Sequence, residues 1–193
     1  MKWLINQLRF IKLVIAGDGG VGKTNLMTVF CGANYIDQAM TIGIYIHSIL
    51  AKINEEEFYL QIWDFSGQDQ FRFLMKSFVQ GAFGAILAFD CSRLSSFENL
   101  PHWIEILRSE NENLPIFLVA MKVDRDYHPL IEKDMIYNII AKYNLIGFAE
   151  TSSRKGINVN LPFKKVLEEI YQINHENPNI IFKTKFRIEN KNL

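Results

Sequence analysis

Several things are scarce in this chain. Only two cysteines and five prolines occur in 193 residues, and the formal net charge is zero. No apolar run approaches the ~18 residues that a membrane span requires. Cys31 and Cys91 show no disulfide spacing, so they are expected as buried thiols in a reducing compartment. A charge balance of zero argues against nucleic acid as a partner and against broad attraction to membranes. His47, His102, His128 and His175 have no cysteine at ligand spacing, which excludes a zinc site of the usual kind. Met1 to Asn6 carries no signal-peptide core, no glycine follows Met1 for acylation, and no cysteine stands near Leu193 for a prenyl anchor. The expectation is a cytoplasmic protein, peripheral to membranes only through partners or its C-terminal tail.

What is present points to one packed domain. Hydrophobic residues make up 49% of the chain and phenylalanine alone supplies 15 positions, which excludes general disorder. Residues 17 to 24 read Gly-Asp-Gly-Gly-Val-Gly-Lys-Thr and match the phosphate-binding pattern G-x-x-x-x-G-K-[ST]. Phe10 to Ala16 before it reads as a buried strand, and Asn25 to Phe30 after it suits a helix. That context lets backbone N–H groups converge on an anion at a positive helix end, with glycines allowing close approach. Lys23 then reaches the terminal phosphates and the Thr24 hydroxyl is a ligand for Mg²⁺.

The remaining chain alternates strands with helices. Ile44–Leu50 and Phe58–Trp63 read as a hairpin turning at 54–57, and Ala85–Phe89 and Ile116–Ala120 as strands covered on both faces. Leu145–Ala149 is a weaker sixth. Met135, Ile136, Ile139, Ile140 and Tyr143 form one helical stripe; Phe163, Val166, Leu167, Ile170 and Tyr171 form another. Ser95-Ser96-Phe97-Glu98 reads as a capping box, and Pro101 as a kink or restart. The fold class is α/β: a P-loop domain with a six-stranded, mostly parallel sheet and about five helices, its ligand at the C-terminal strand ends. The domain spans 9–175, between an extension at 1–8 and a tail at 176–193. In the tail, Phe182, Thr184, Phe186 and Ile188 alternate with Lys183, Lys185 and Arg187. An added edge strand, a weak anionic-membrane contact, a partner-binding segment and disorder all remain open for it.

Three further stretches end predicted strands. In Trp63-Asp64-Phe65-Ser66-Gly67-Gln68, Asp64 can hold the Mg²⁺ shell, the Gly67 N–H can meet the γ-phosphate, and Gln68 can orient a water. In Met121-Lys122-Val123-Asp124, Asp124 accepts two hydrogen bonds from the N1–H and 2-amino edge of guanine, which adenine lacks. In Glu150-Thr151-Ser152-Ser153-Arg154, backbone N–H groups can meet the guanine O6.

These four stretches, with Ser96 to Leu100 and Trp103, resemble the Ras superfamily of small GTPases over about residues 9 to 175. The Thr41-Ile42-Gly43 turn and the Trp63-Asp64 pair lean to its Rab-like branch, whose work is vesicle trafficking. The resemblance implies a GTP/GDP switch that slowly hydrolyses GTP. It implies Mg²⁺, an activating protein, an exchange factor and effectors as partners. By the resemblance, Gly19, Gly20, Val21, Gly22, Lys23, Thr24 and Asn25 cradle the phosphates, and Tyr35 lies on the guanine face. Lys122, Asp124, Ser152, Ser153 and Arg154 surround the base. Thr24, Thr41 and Asp64 attend the metal, Thr41 only with the γ-phosphate present, and Gln68, Lys23 and Thr41 carry the chemistry.

The chain departs from that family at several positions. Met121 stands where the family has asparagine, and the lost donor is worth ~1–3 kcal/mol. Phe65-Ser66 replaces the commoner Thr-Ala, and the segment from Tyr35 to Thr41 contains no arginine. Two rival readings stay open: a nucleotide-dependent binding module that scarcely hydrolyses, and a P-loop kinase or ATPase.

Overall fold

A computed structural model describes residues 9–35, 44–53, 56–65, 72–171, 180–183 and 188–191. In chain order the elements are β1 (Arg9–Ala16), α1 (Lys23–Phe30), β2 (Ile44–Ile53), β3 (Glu56–Phe65) and α2 (Arg72–Val79). There follow β4 (Gly84–Asp90), α3 (Leu94–Glu98), α4 (Leu100–Leu107), β5 (Ile116–Met121) and α5 (Lys133–Lys142). The chain continues through β6 (Gly147–Glu150), α6 (Leu161–Ile170), β7 (Ile180–Lys183) and β8 (Ile188–Lys191). All six expected strands are present, and two more come from the tail.

The sheet runs β6-β5-β4-β1-β3-β2-β7, with β8 also paired to β2. The pairs β1·β3, β1·β4, β4·β5 and β5·β6 are parallel, so their connections cross over the sheet faces through helices. Every residue of β4 and β5 is buried, as continuous apolar runs between two helical layers must be. One layer packs Leu26, Met27 and Phe30 of α1 with Phe163, Val166 and Leu167 of α6. The other packs Phe97, Leu100, Trp103, Leu107 and Ile136 from α3, α4 and α5. Strand order reverses at β1: the chain passes to β2 and β3 on one side and to β4, β5 and β6 on the other. The crevice at such a reversal lies at the C-terminal end of β1, where the glycine loop begins.

Local details differ from two expectations. Ser95 and Ser96 lie inside α3, whose N-cap is Arg93 with no side-chain cap. Ser96 is wholly buried; its hydroxyl accepts from the Asp90 N–H at 3.0 Å and donates to the Arg93 carbonyl at 2.7 Å. It fastens the end of β4 to α3 in place of a capping box. Met135, placed on the apolar stripe of α5, is 39% exposed, and Ile136 is that helix's buried residue. Pro101 does mark a restart: α3 ends at Glu98 and α4 begins at Leu100 with proline in its first turn.

The tail takes the strand alternative. Residues 180–183 and 188–191 both run antiparallel to β2, Leu50 facing Lys183 and His47 facing Ile188. Phe182 packs edge-on to Phe30 with ring centroids 4.9 Å apart, and Phe30 stacks on Phe163. Lys183 and Glu57 form an ion pair at the surface. Truncation before Ile180 is expected to cost about 2–4 kcal/mol, from lost apolar contact and unpaired β2 backbone. Denaturant unfolding and faster amide exchange at Leu50–Ile53 measure this; unchanged exchange there would show that the ladder does not form in solution.

Candidate nucleotide site

The loop from Gly17 to Gly22 joins β1 to α1. Gly17 has φ +135°, and a side chain on it would collide with the Ala88 carbonyl of β4. Lys23 opens α1 and turns back: its Nζ donates to the carbonyls of Gly17 at 2.6 Å and Asp18 at 2.8 Å. Burial lowers the Lys23 pKa to about 8, while Asp64 and Asp18 pull it upward. Two more cations reach the same loop from other elements. Arg93 donates through Nη2 to the Gly19 carbonyl at 2.8 Å, and Lys122 through Nζ to the Gly20 carbonyl at 2.7 Å. Four successive carbonyls are therefore each held by a cationic side chain.

The side chain of Asp18 faces the helices. Its Oδ1 accepts from Trp103 Nε1 and its Oδ2 from Asn99 Nδ2, both at 2.8 Å. Asp64 at the end of β3 is wholly buried. Its Oδ2 accepts from the Thr24 hydroxyl at 2.6 Å, and its Oδ1 has no partner among the described residues. Burial raises the Asp64 pKa to about 6 against the pull of Lys23 and Thr24. A desolvated carboxylate oxygen without a donor, beside a hydroxyl already turned to the same group, suits a small hard cation.

The β5 and β6 ends supply the second half. Lys122 has φ +62°, and its ammonium also ion-pairs with Asp90 Oδ2 at 2.7 Å. Burial pushes the Asp90 carboxyl up, but bonds from Lys122 and Ser92 outweigh it and hold the group below its ordinary value. Met121 is buried, and its sulfur accepts from the Thr151 hydroxyl at 3.1 Å. The tie between this loop and the glycine loop is thus made by Lys122, since Met121 has no donor to make it. Asp124 Oδ1 accepts from the Ser152 hydroxyl at 2.6 Å, a bond that lowers its pKa. Ser152 is buried, Arg154 is exposed, and the Ser153 hydroxyl is buried without a partner among the described residues. Asp124 itself is half-exposed.

Comparison with known proteins bears on the whole of this arrangement. The family model described as "Ras family" matches residues 12–172. The chain belongs to the Ras family. Among its relatives, the Ras-related protein RABA1h of Arabidopsis thaliana is 34% identical over 84% of this chain and 75% of that protein. The Ras-related protein Rab11B of Nicotiana tabacum is 32% identical with the same coverage. The Ras-related protein rab-11.1 of Caenorhabditis elegans is 32% identical over 83% of this chain and 77% of its own. This Ras-family chain is thus Rab-like, as its motifs implied.

Within this Ras-family domain the structure brings Gly19, Gly20, Gly22, Lys23 and Thr24 together with Asp64 and Lys122, and Asp124 with Ser152. Val21 is in the core, so only its backbone faces the loop. Asn25 is half-buried on α1, and Tyr35 is half-buried at the end of a described stretch. Thr41, Gly67 and Gln68 lie outside the described residues. Sequence reasoning gave no role to Asp18 and Asn99, which stand inside quoted stretches, or to Asp90 and Arg93, which stand outside them. Trp103 carried a usable signal, because a buried indole N–H requires an acceptor. Replacing Asp18 with Ala takes that acceptor away and is expected to cost about 1–3 kcal/mol of stability and to loosen the loop. Urea unfolding followed by tryptophan fluorescence measures it, and a parent-like midpoint would show that the Asp18 contacts add nothing.

Proposed function

We propose that this Ras-family protein is a GTP/GDP switch that binds guanine nucleotide with Mg²⁺ and hydrolyses GTP slowly. One observation carries the reading: Asp64 is wholly buried with one oxygen held by Thr24 and the other unclaimed among the described residues, close enough to Lys23 to act on its charge. Thr24 and Asp64 would hold Mg²⁺ on this reading, with Thr41 joining when the γ-phosphate is present. Bound there, the ion would neutralise charge on the terminal phosphate oxygens.

The chain's own residues divide the remaining work. The loop N–H groups and Lys23 bind the phosphates and stabilise the charge that develops between them. Gln68 orients the attacking water. Asp124 accepts from the guanine edge with the lone pairs that the Ser152 bond leaves, and Lys122 keeps that loop fastened to the glycine loop. The γ-phosphate orders the segments around Thr41 and Gly67, and its loss releases them. A site working only through these groups turns over at ~10⁻⁴–10⁻³ per second, which calls for an activating protein. An exchange factor and effectors follow as partners, and relatives whose names carry Rab support a place in vesicle trafficking at a membrane surface.

Two variants test the reading. Gln68→Leu is expected to reduce single-turnover phosphate release about tenfold or more while GDP affinity stays within about twofold; unchanged release would remove Gln68 from the mechanism. Met121→Asn restores a donor and is expected to slow GDP dissociation about tenfold or more. Stopped-flow release of a fluorescent GDP measures it. Sub-nanomolar GDP binding by the parent protein would show that Met121 costs nothing. Equal affinity for ATP and GTP would end the guanine assignment altogether.

A further inference from the structure

The two tail strands hold different halves of β2, and one of those halves leads to Asp64. β7 faces Leu50–Ile53, the half remote from Asp64, and is anchored by Phe182 on Phe30 and by the Lys183–Glu57 ion pair. β8 faces Ile44–His47. Its Asn190 lies opposite Tyr45, Tyr45 opposite Asp64, and Asp64 opposite Ile15. One row of paired backbone therefore runs from the tail through Asp64 to β1, two residues short of Gly17. On the next rows Glu189 faces Ile46, which faces Trp63, and Ile188 faces His47, which faces Ile62. Polar groups on these rows are left over. His47 Nε2, Trp63 Nε1 and Asp64 Oδ1 are all buried with no partner among the described residues. Each is a cost that a bound ion or a shift of the strands relieves. The two tail ladders also differ in register: Leu50 pairs with Lys183 but His47 with Ile188, so three steps along β2 match five along the tail. β8 is thus no simple continuation of β7 and can part from β2 while β7 stays.

We propose that β8 is a latch on bound nucleotide: its pairing with Ile44–His47 and the occupation of Asp64 by Mg²⁺ with its nucleotide stabilise each other. This rests on the GTPase reading and deepens it, adding a means of regulation to the same site. A cation on Asp64 fixes the end of β3, the template along which Ile44–His47 lies extended. A β2 held in that way presents β8 with a full row of backbone donors and acceptors. Coupling of this kind is reciprocal in free energy. Whatever bound nucleotide adds to the docking of β8, β8 adds to the retention of nucleotide. With β8 in place GDP leaves slowly, and with β8 displaced it leaves faster. The tail acts on exchange from the margin of the sheet, without touching the nucleotide.

The test compares the full chain with a chain ending at Arg187 and with the full-length double variant Glu189→Pro, Asn190→Pro. Of two neighbouring strand residues one points its N–H at β2, so the double variant keeps the tail's length but loses a ladder donor. It decides the matter if the shorter chain does not fold. Both variants are expected to release a fluorescent GDP about fivefold or more faster than the parent when Mg²⁺ is present. Once EDTA has removed the ion, the difference is expected to shrink below about twofold. In the full chain, GDP with Mg²⁺ is expected to slow amide exchange at Ile188–Lys191 about fivefold or more, and at Ile180–Lys183 by less than about twofold. Parent-like release from a folded variant overturns the proposal, as does exchange at Ile188–Lys191 that is indifferent to nucleotide. So does release speeded equally with and without Mg²⁺, which marks a general loosening of the domain. A parent protein that binds no guanine nucleotide overturns the function and this inference together, whereas binding with tail-independent release overturns this inference alone.

Discussion

The carbonyl side of the glycine loop is claimed by cations, and the geometry of the peptide bond makes that decisive. In a planar trans peptide the C=O and the following N–H point in opposite directions. Lys23, Arg93 and Lys122 hold the carbonyls of Gly17 to Gly20 from α1, the start of α3 and the end of β5. The N–H groups of the same peptides are thereby turned the other way, which is the orientation an anion needs. Asp18 adds the rotational lock, since its two oxygens are fixed by Trp103 and Asn99. Without these holds a stretch with four glycines in six residues has little reason to keep one shape.

Burial sets the electrostatics of the same place. Lys23 and Asp64 have pKa values shifted towards neutrality from opposite ends, to about 8 and about 6, chiefly because both are removed from water. Each therefore gains from a ligand of opposite charge more than an exposed group would. Phosphate favours the charged lysine, and a divalent cation favours the charged aspartate. On the proposed reading the two ligands would help one another through the Thr24–Asp64–Lys23 cluster. Asp90 serves a different end: bonds from Lys122 and Ser92 keep it ionised, and it fixes the lysine that joins the two halves.

Much of this was legible in the residues because the chemistry permits few alternatives. Only glycine fits at Gly17 against Ala88, and runs such as Ile116–Met121 suit a strand with both faces covered. Asp64, Lys122 and Asp124 stood out because each follows a stretch that reads as a strand. The contacts that were missed come from positions whose side chains act across the sheet, at separations of 74 to 85 residues for Arg93, Asn99 and Trp103. No local pattern reports such pairings. The capping-box reading failed for the opposite reason: a local pattern at Ser95–Glu98 was overridden by the buried Ser96 hydroxyl reaching β4. The bond from Ser152 to Asp124 was not legible either, since it joins the ends of two strands 28 residues apart.

The strands β7 and β8 alter what the β2 margin offers to other molecules. Left bare, that margin would present a row of unpaired peptide groups to any extended chain. With the tail along it, an incoming strand meets a rival tethered to the same polypeptide, whose effective concentration is of order millimolar for a short connection. A binder using backbone pairing there must outcompete the tail or peel it away, taking Phe182 off Phe30 in the process. Recognition through side chains on the sheet's face meets no such opponent.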